Sequence, residues 1–197
     1  MLLCGLAVSA QDRDDFGIWS SVDVAGRFSP KWDGGMYFEH RSKSMTKELD
    51  CALIMPYVSY KPWKFLKFGL ASEYVDCGDV KQLTLRPSAT FSLSSGPLGF
   101  SFRALPIYEY TFQTSSGAWT MRSRAKMTYN IESIRLTPYV SIEVFTADHW
   151  KKTRNFLGAQ WSFGKHSAVD LYYMYYIMAG MRSQRHILGL GYVFNVN

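Results

Sequence analysis

The sequence predicts an all-β fold: a closed antiparallel transmembrane β-barrel of about 10–12 strands, with short periplasmic turns and longer outer loops. Three observations carry this expectation. Segments of about ten residues alternate apolar and polar positions and end in turn clusters, and that is the length a tilted strand needs to cross a bilayer. Aromatic residues, 16% of the 197, gather near the segment ends. No run of eighteen apolar residues is present, so the sequence offers no transmembrane helix.

Residues 1–10 read as the remains of a secretory signal peptide. Leu2 to Val8 is a short apolar core that contains Cys4, and Val8, Ser9 and Ala10 place small residues at a cleavage site. The polar run Gln11, Asp12, Arg13, Asp14 and Asp15 follows. Residues 11–197 then form one barrel domain.

Eleven strand candidates follow: 16–28, 35–44, 49–60, 65–75, 82–93, 98–112, 119–129, 135–146, 153–163, 168–178 and 185–195. The cleanest alternation places Leu83, Leu85, Pro87, Ala89, Phe91 and Leu93 on one face and Thr84, Arg86, Ser88, Thr90 and Ser92 on the other. Leu136, Pro138, Val140, Ile142 and Val144 share a face in the same way, as do Val169, Leu171, Tyr173, Tyr175 and Ile177. These are the expected lipid-facing sides.

The connections at 29–34, 61–64, 94–97, 130–133 and 164–166 carry Pro, Gly, Asn and Ser in turn positions. Those at 45–48, 76–81, 113–118, 147–152 and 179–184 are more variable. The contrast places the first set in the periplasm and the second outside. Eleven is odd, whereas a closed antiparallel barrel needs an even number. Either one segment is miscounted, or a short strand precedes Phe16, or the seam is parallel.

Aromatic side chains mark two girdles at headgroup level. Trp63, Phe65, Phe100, Trp161, Phe163, Tyr192 and Phe194 fall on the periplasmic side, and Tyr74, Tyr110, Phe112, Trp119, Phe145 and Trp150 on the outer side. The closing segment from Leu188 alternates apolar and aromatic residues in the manner of the last strand read by outer-membrane assembly machinery. Its Phe194 stands three residues before Asn197.

Lysines and arginines outnumber acids 22 to 16, for a net charge of +6. The bases sit singly inside strands. On a lipid face each would cost roughly 2–4 kcal/mol at the midplane, so alternation sends them inward. The expected lumen-lining network is Glu39, Arg41, Glu73, Arg86, Arg103, Glu109, Arg122, Arg124, Lys126, Glu143 and Arg154, with Asp23, Arg27, Lys67, Arg135 and Asp170 on the same faces. No basic helix or stacked basic-aromatic motif points to nucleic acid as a partner.

Folding the hairpin at Trp63 and Lys64 brings Cys51 almost opposite Cys77, so a disulfide at the outer rim is expected, with two free thiols as the alternative. The sequence has no His-x-His pair, no Cys-x-x-Cys and no glycine-rich phosphate loop, so no metal and no cofactor are expected. His166 and Ser167 are adjacent and point to opposite faces, which rules them out as base and nucleophile. His149 beside Asp148 falls in an outer loop. His40 and Ser42 share a lipid-side face near the outer rim and are the best-placed pair for a lipid-modifying enzyme.

Taken together, Asp15 to Ser20, Glu39-His40-Arg41, Arg122-Ser123-Arg124, Pro138-Tyr139, Glu143 and His186 resemble a family of small outer-membrane barrels from Bacteroidota, catalogued as a domain of unknown function. The likeness spans nearly all of the mature chain. It implies an outer-membrane location and a barrel fold, and no established activity. Three function classes remain open: a narrow pore or binding barrel for small polar or anionic solutes, a structural or interaction barrel plugged by ion pairs, and an enzyme on outer-membrane lipids. The expected partners are outer-membrane lipids and, through the final strand, the assembly machinery, with the barrel as a monomer.

Overall fold

The computed structural model describes residues 15–42, 49–179 and 184–196. Residues 1–10, read as a signal segment, lie outside them. Eleven strands close into one barrel: β1 (Asp15–Ser29), β2 (Trp32–Ser42), β3 (Leu49–Trp63), β4 (Leu66–Cys77), β5 (Val80–Ser95), β6 (Leu98–Thr111), β7 (Ser116–Tyr129), β8 (Leu136–Thr146), β9 (Trp150–Phe163), β10 (Ser167–Met178) and β11 (Arg185–Asn195). All eleven predicted segments are strands. β1 and β11 both begin at one rim, called upper here, and end at the lower one.

Two details differ from the expectation. The barrel is not wholly antiparallel, because β1 and β11 pair in parallel from Asp15↔Arg185 to Ala25↔Asn195. With an odd number of strands the first and last run the same way, so only a parallel ladder can close the cylinder. The upper connections are also not uniformly longer. β5, β7 and β9 start earlier than predicted, which leaves only Gly78 and Asp79 between β4 and β5. Gly78 takes a φ of 73°, where glycine carries no steric penalty. The ladder therefore runs on through Asp76↔Lys81 and Cys77↔Val80.

Alternation decides which side chains point in. Each of the eleven strands leaves large apolar side chains exposed on the outside, among them Val22, Phe38, Val58, Leu70, Leu85, Phe102, Met127, Val140, Leu157, Leu171 and Leu190. Exposed rings ring both ends. Trp63, Phe65 and Phe91 touch near the lower rim, as do Trp161, Phe163 and Tyr192. Phe112 and Trp119 are exposed toward the upper rim. Phe145, assigned above to the outer girdle, points inward instead and is buried, because it shares the parity of Glu143 on β8.

Across β8–β11 tyrosines and glycines alternate in register: Tyr139↔Gly158, Gly158↔Tyr172 and Tyr172↔Gly189. A Cβ on Gly158 would lie 2.7 Å from Tyr139 Cζ and one on Gly189 would run into the Tyr172 ring. The missing side chains let the rings lie against the wall, a known way of stabilising curved sheets.

Near the upper rim the register Ala52↔Asp76 brings Cys51 and Cys77 together. Cys51 and Cys77 are joined in a disulfide with their Cα atoms 4.1 Å apart.

Candidate functional site: the ionic lumen

The inward faces of β2, β4–β9 carry a chain of charges. On β2, Glu39 and Arg41 are two residues apart and so share a face. Arg41 Nε donates to Glu39 Oε1 at 2.6 Å, Tyr37 donates to Glu39 Oε2 at 2.5 Å, and the Arg41 guanidinium lies 4.4 Å from the Trp19 ring centre. On the next wall Arg86 of β5 pairs with Glu73 of β4, its diagonal neighbour in a register where Ala71 faces Arg86.

The third unit is the densest. Glu143 stands directly between Arg124 of β7 and Arg154 of β9. Its side chain is 0% exposed. Arg122 Nη2 donates to Glu143 Oε1 at 2.5 Å, Arg124 Nε is 3.6 Å from that oxygen, and Arg154 Nη1 is 3.8 Å from Oε2. Aromatic faces supply the rest of the cationic environment. Arg122 and Arg154 sit 5.2 and 4.9 Å from the Phe145 ring centre, and Arg124 sits 5.3 Å from that of Phe156.

The remaining predicted residues are more scattered. Lys126 Nζ is 3.8 Å from the Tyr139 ring centre. Glu109 is exposed at the upper mouth and accepts from Gln82 Nε2 at 3.0 Å. Toward the lower rim Tyr57 donates to Asp23 at 2.9 Å and Tyr139 to Asp170 at 3.0 Å. Arg103 lines the lumen opposite Arg124. Arg135 does not: it lies in the β7–β8 turn, exposed, with a φ of 54°. Arg27 is exposed at the lower end of β1.

Sequence reasoning missed two components. Lys152 lines the lumen beside Arg154, on a β9 that starts earlier than its alternation suggests. The upper half of the interior is also more apolar than expected. Leu105, Ile107 and Phe145 form a buried cluster, and Leu53, Val75, Met174 and Ile187 are buried as well. All but Leu53 share parity with an inward charge on their own strand, and that parity is the available signal.

A cavity of about 640 Å³ remains. It follows β4 from Cys77 through Val75, Glu73, Ala71 and Gly69 to Lys67, and β5 from Gln82 through Thr84, Arg86 and Ser88 to Thr90. Glu143, Phe145, Arg154 and Tyr172 line it from the other side, with Met174 fully buried behind them. A cavity of this size suits a small-molecule site.

His40 and Ser42 both lie on the outward face, and the structure does not make a dyad of them. The Ser42 hydroxyl donates to the Ile18 carbonyl at 3.1 Å and accepts from the Ile18 amide at 3.3 Å. Among the described residues no group of three or more His, Cys, Asp or Glu side chains could hold a metal ion.

A family model described as "Protein of unknown function (DUF2490)" matches residues 16–195. No curated protein matches the sequence.

Proposed function

This chain belongs to that family of unknown function, which assigns it no activity, and we propose that it is an outer-membrane barrel of Bacteroidota type whose lumen passes or binds small anionic solutes. The observation that supports this most is the interior cavity, which is lined along β4 and β5 from one rim to the other and bordered by more bases than acids. Eleven strands lie between the eight whose interior side chains fill and the sixteen that leave an aqueous channel. The charges along the route favour anions, as rings of Arg and Lys do in anion pores. The apolar exterior on every strand fits contact with lipid acyl chains. The final strand would be the element recognised during assembly, and the barrel would act as a monomer with outer-membrane lipids around it.

Planar-bilayer recording of the purified barrel tests this. A salt gradient across the bilayer should give a reversal potential displaced toward that of chloride. Absence of current counts against passage. It would favour the second reading, a structural or interaction barrel, for which the fully buried Glu143 and Met174 speak.

A further inference from the structure

The charges on the β6–β9 interior do not balance. One rung of the barrel reads Thr90, Arg103, Arg124, Glu143, Arg154 in direct cross-strand register. Two arginines thus face each other across β6 and β7, and like charges directly opposite are destabilising. The single carboxylate of the rung is already shared among Arg122, Arg124 and Arg154. Among the described residues Arg103 has neither an ion-pair nor a hydrogen-bond partner for its guanidinium, although it lines the cavity. Four arginines, Arg103, Arg122, Arg124 and Arg154, thus stand against the one carboxylate of Glu143, a surplus of three positive charges along the cavity. The buried Nε groups of Arg122, Arg124 and Arg154 have no hydrogen-bond partner either.

We infer that the lumen holds a binding site for one phosphate-class oxyanion, with Arg103 as its principal ligand and Arg124 as the second positive wall. The inference deepens the proposed reading, because it puts a ligand of stated chemistry in the same lumen. A dianion would cut the surplus from three charges to one. The planar guanidinium fork of Arg103 matches two oxygens of such a group. Thr90, opposite Arg103, and Ser88, two residues before it, line the cavity and bring hydroxyl donors to the same level. Glu73 is occupied by Arg86, so it does not compete for Arg103.

The test is calorimetric titration of inorganic phosphate into the refolded full-length barrel in detergent, with sulfate as a second probe. Saturable binding of one phosphate per barrel is expected, displaced by sulfate. Arg103→Gln should weaken it at least tenfold, while Lys165→Gln, in an exposed turn at the lower rim, should leave it within twofold. No saturable binding to the unaltered barrel, or equal binding to Arg103→Gln, overturns the site. If Arg103→Gln does not refold, Arg103→Lys is read instead. It keeps the charge and loses the fork, so at least a threefold loss is expected, and no loss overturns the assignment. Bilayer current separates the two ideas. Phosphate binding without current leaves the site standing without passage, and current that phosphate neither binds nor blocks removes the site alone.

Discussion

Replacing Glu143 by Gln keeps the shape of the side chain and one acceptor oxygen but removes the only carboxylate among four arginines. At an effective dielectric constant near 20, one unit charge pair at about 4 Å is worth about 4 kcal/mol. Glu143 has one such partner at 2.5 Å and two more at 3.6 and 3.8 Å. Most of that gross attraction offsets the desolvation of the four groups, so the net contribution of the unit is far smaller than the sum. Removing one member is different, since it leaves the other charges buried and uncompensated, at a cost of about 3–5 kcal/mol. Glu143→Gln should therefore lower the unfolding free energy by about 3–5 kcal/mol, read from urea titration in detergent micelles by tryptophan fluorescence. The slope with denaturant should stay unchanged, which keeps the comparison within one unfolding transition. Adding Arg124→Gln to Glu143→Gln should recover part of the loss, because the second change removes one unpaired charge. A loss below about 1 kcal/mol, in the range of an exposed ion pair, would show that the unit is hydrated and would refute the reasoning.

Two other substitutions test the exterior and the wall. Leu171 is 53% exposed at the middle of β10, so Leu171→Arg should cost about 2–4 kcal/mol in a bilayer; near-neutral stability in lipid vesicles would speak against a membrane-facing surface. Gly189→Ala drives a methyl into the Tyr172 ring and should cost about 1–3 kcal/mol as overpacking, with Gly189→Ala/Tyr172→Leu recovering most of it in the same urea assay.

Strand alternation made the fold legible. The faces read for Leu83 to Leu93 and for Leu136 to Val144 place Leu85 and Val140 outside and bury Thr84 and Glu143 inside. Local pattern does not encode how the ends meet, because the β1–β11 ladder joins segments separated by nearly the whole chain. The lumen was legible as a set of charges and not as pairings. That Glu143 would collect three arginines depends on register across β7, β8 and β9, and register is a property of neighbouring strands together. Phe145 misled because an aromatic near a strand end fits a girdle equally well. Its parity with Glu143 was the stronger signal, and the structure follows it.

The cavity and the charge surplus meet on the same strands. Eleven strands set a cross-section that large inward residues can fill on only part of its circumference. Tyr139, Glu143, Phe145, Arg154, Tyr172 and Met174 take up interior volume on β8, β9 and β10, while β4 and β5 mix Gly69, Ala71, Thr84 and Ser88 with Glu73 and Arg86. β6 and β7 form the border between the two walls, and that is where Arg103, Arg122 and Arg124 are placed. Glu143 reaches this border from β8 and takes up Arg122 and Arg124 there. Arg103, one strand further from Glu143, lies beyond its reach. The positive charge left uncompensated is thus one that lines the cavity, and this is the physical ground for proposing an anion there.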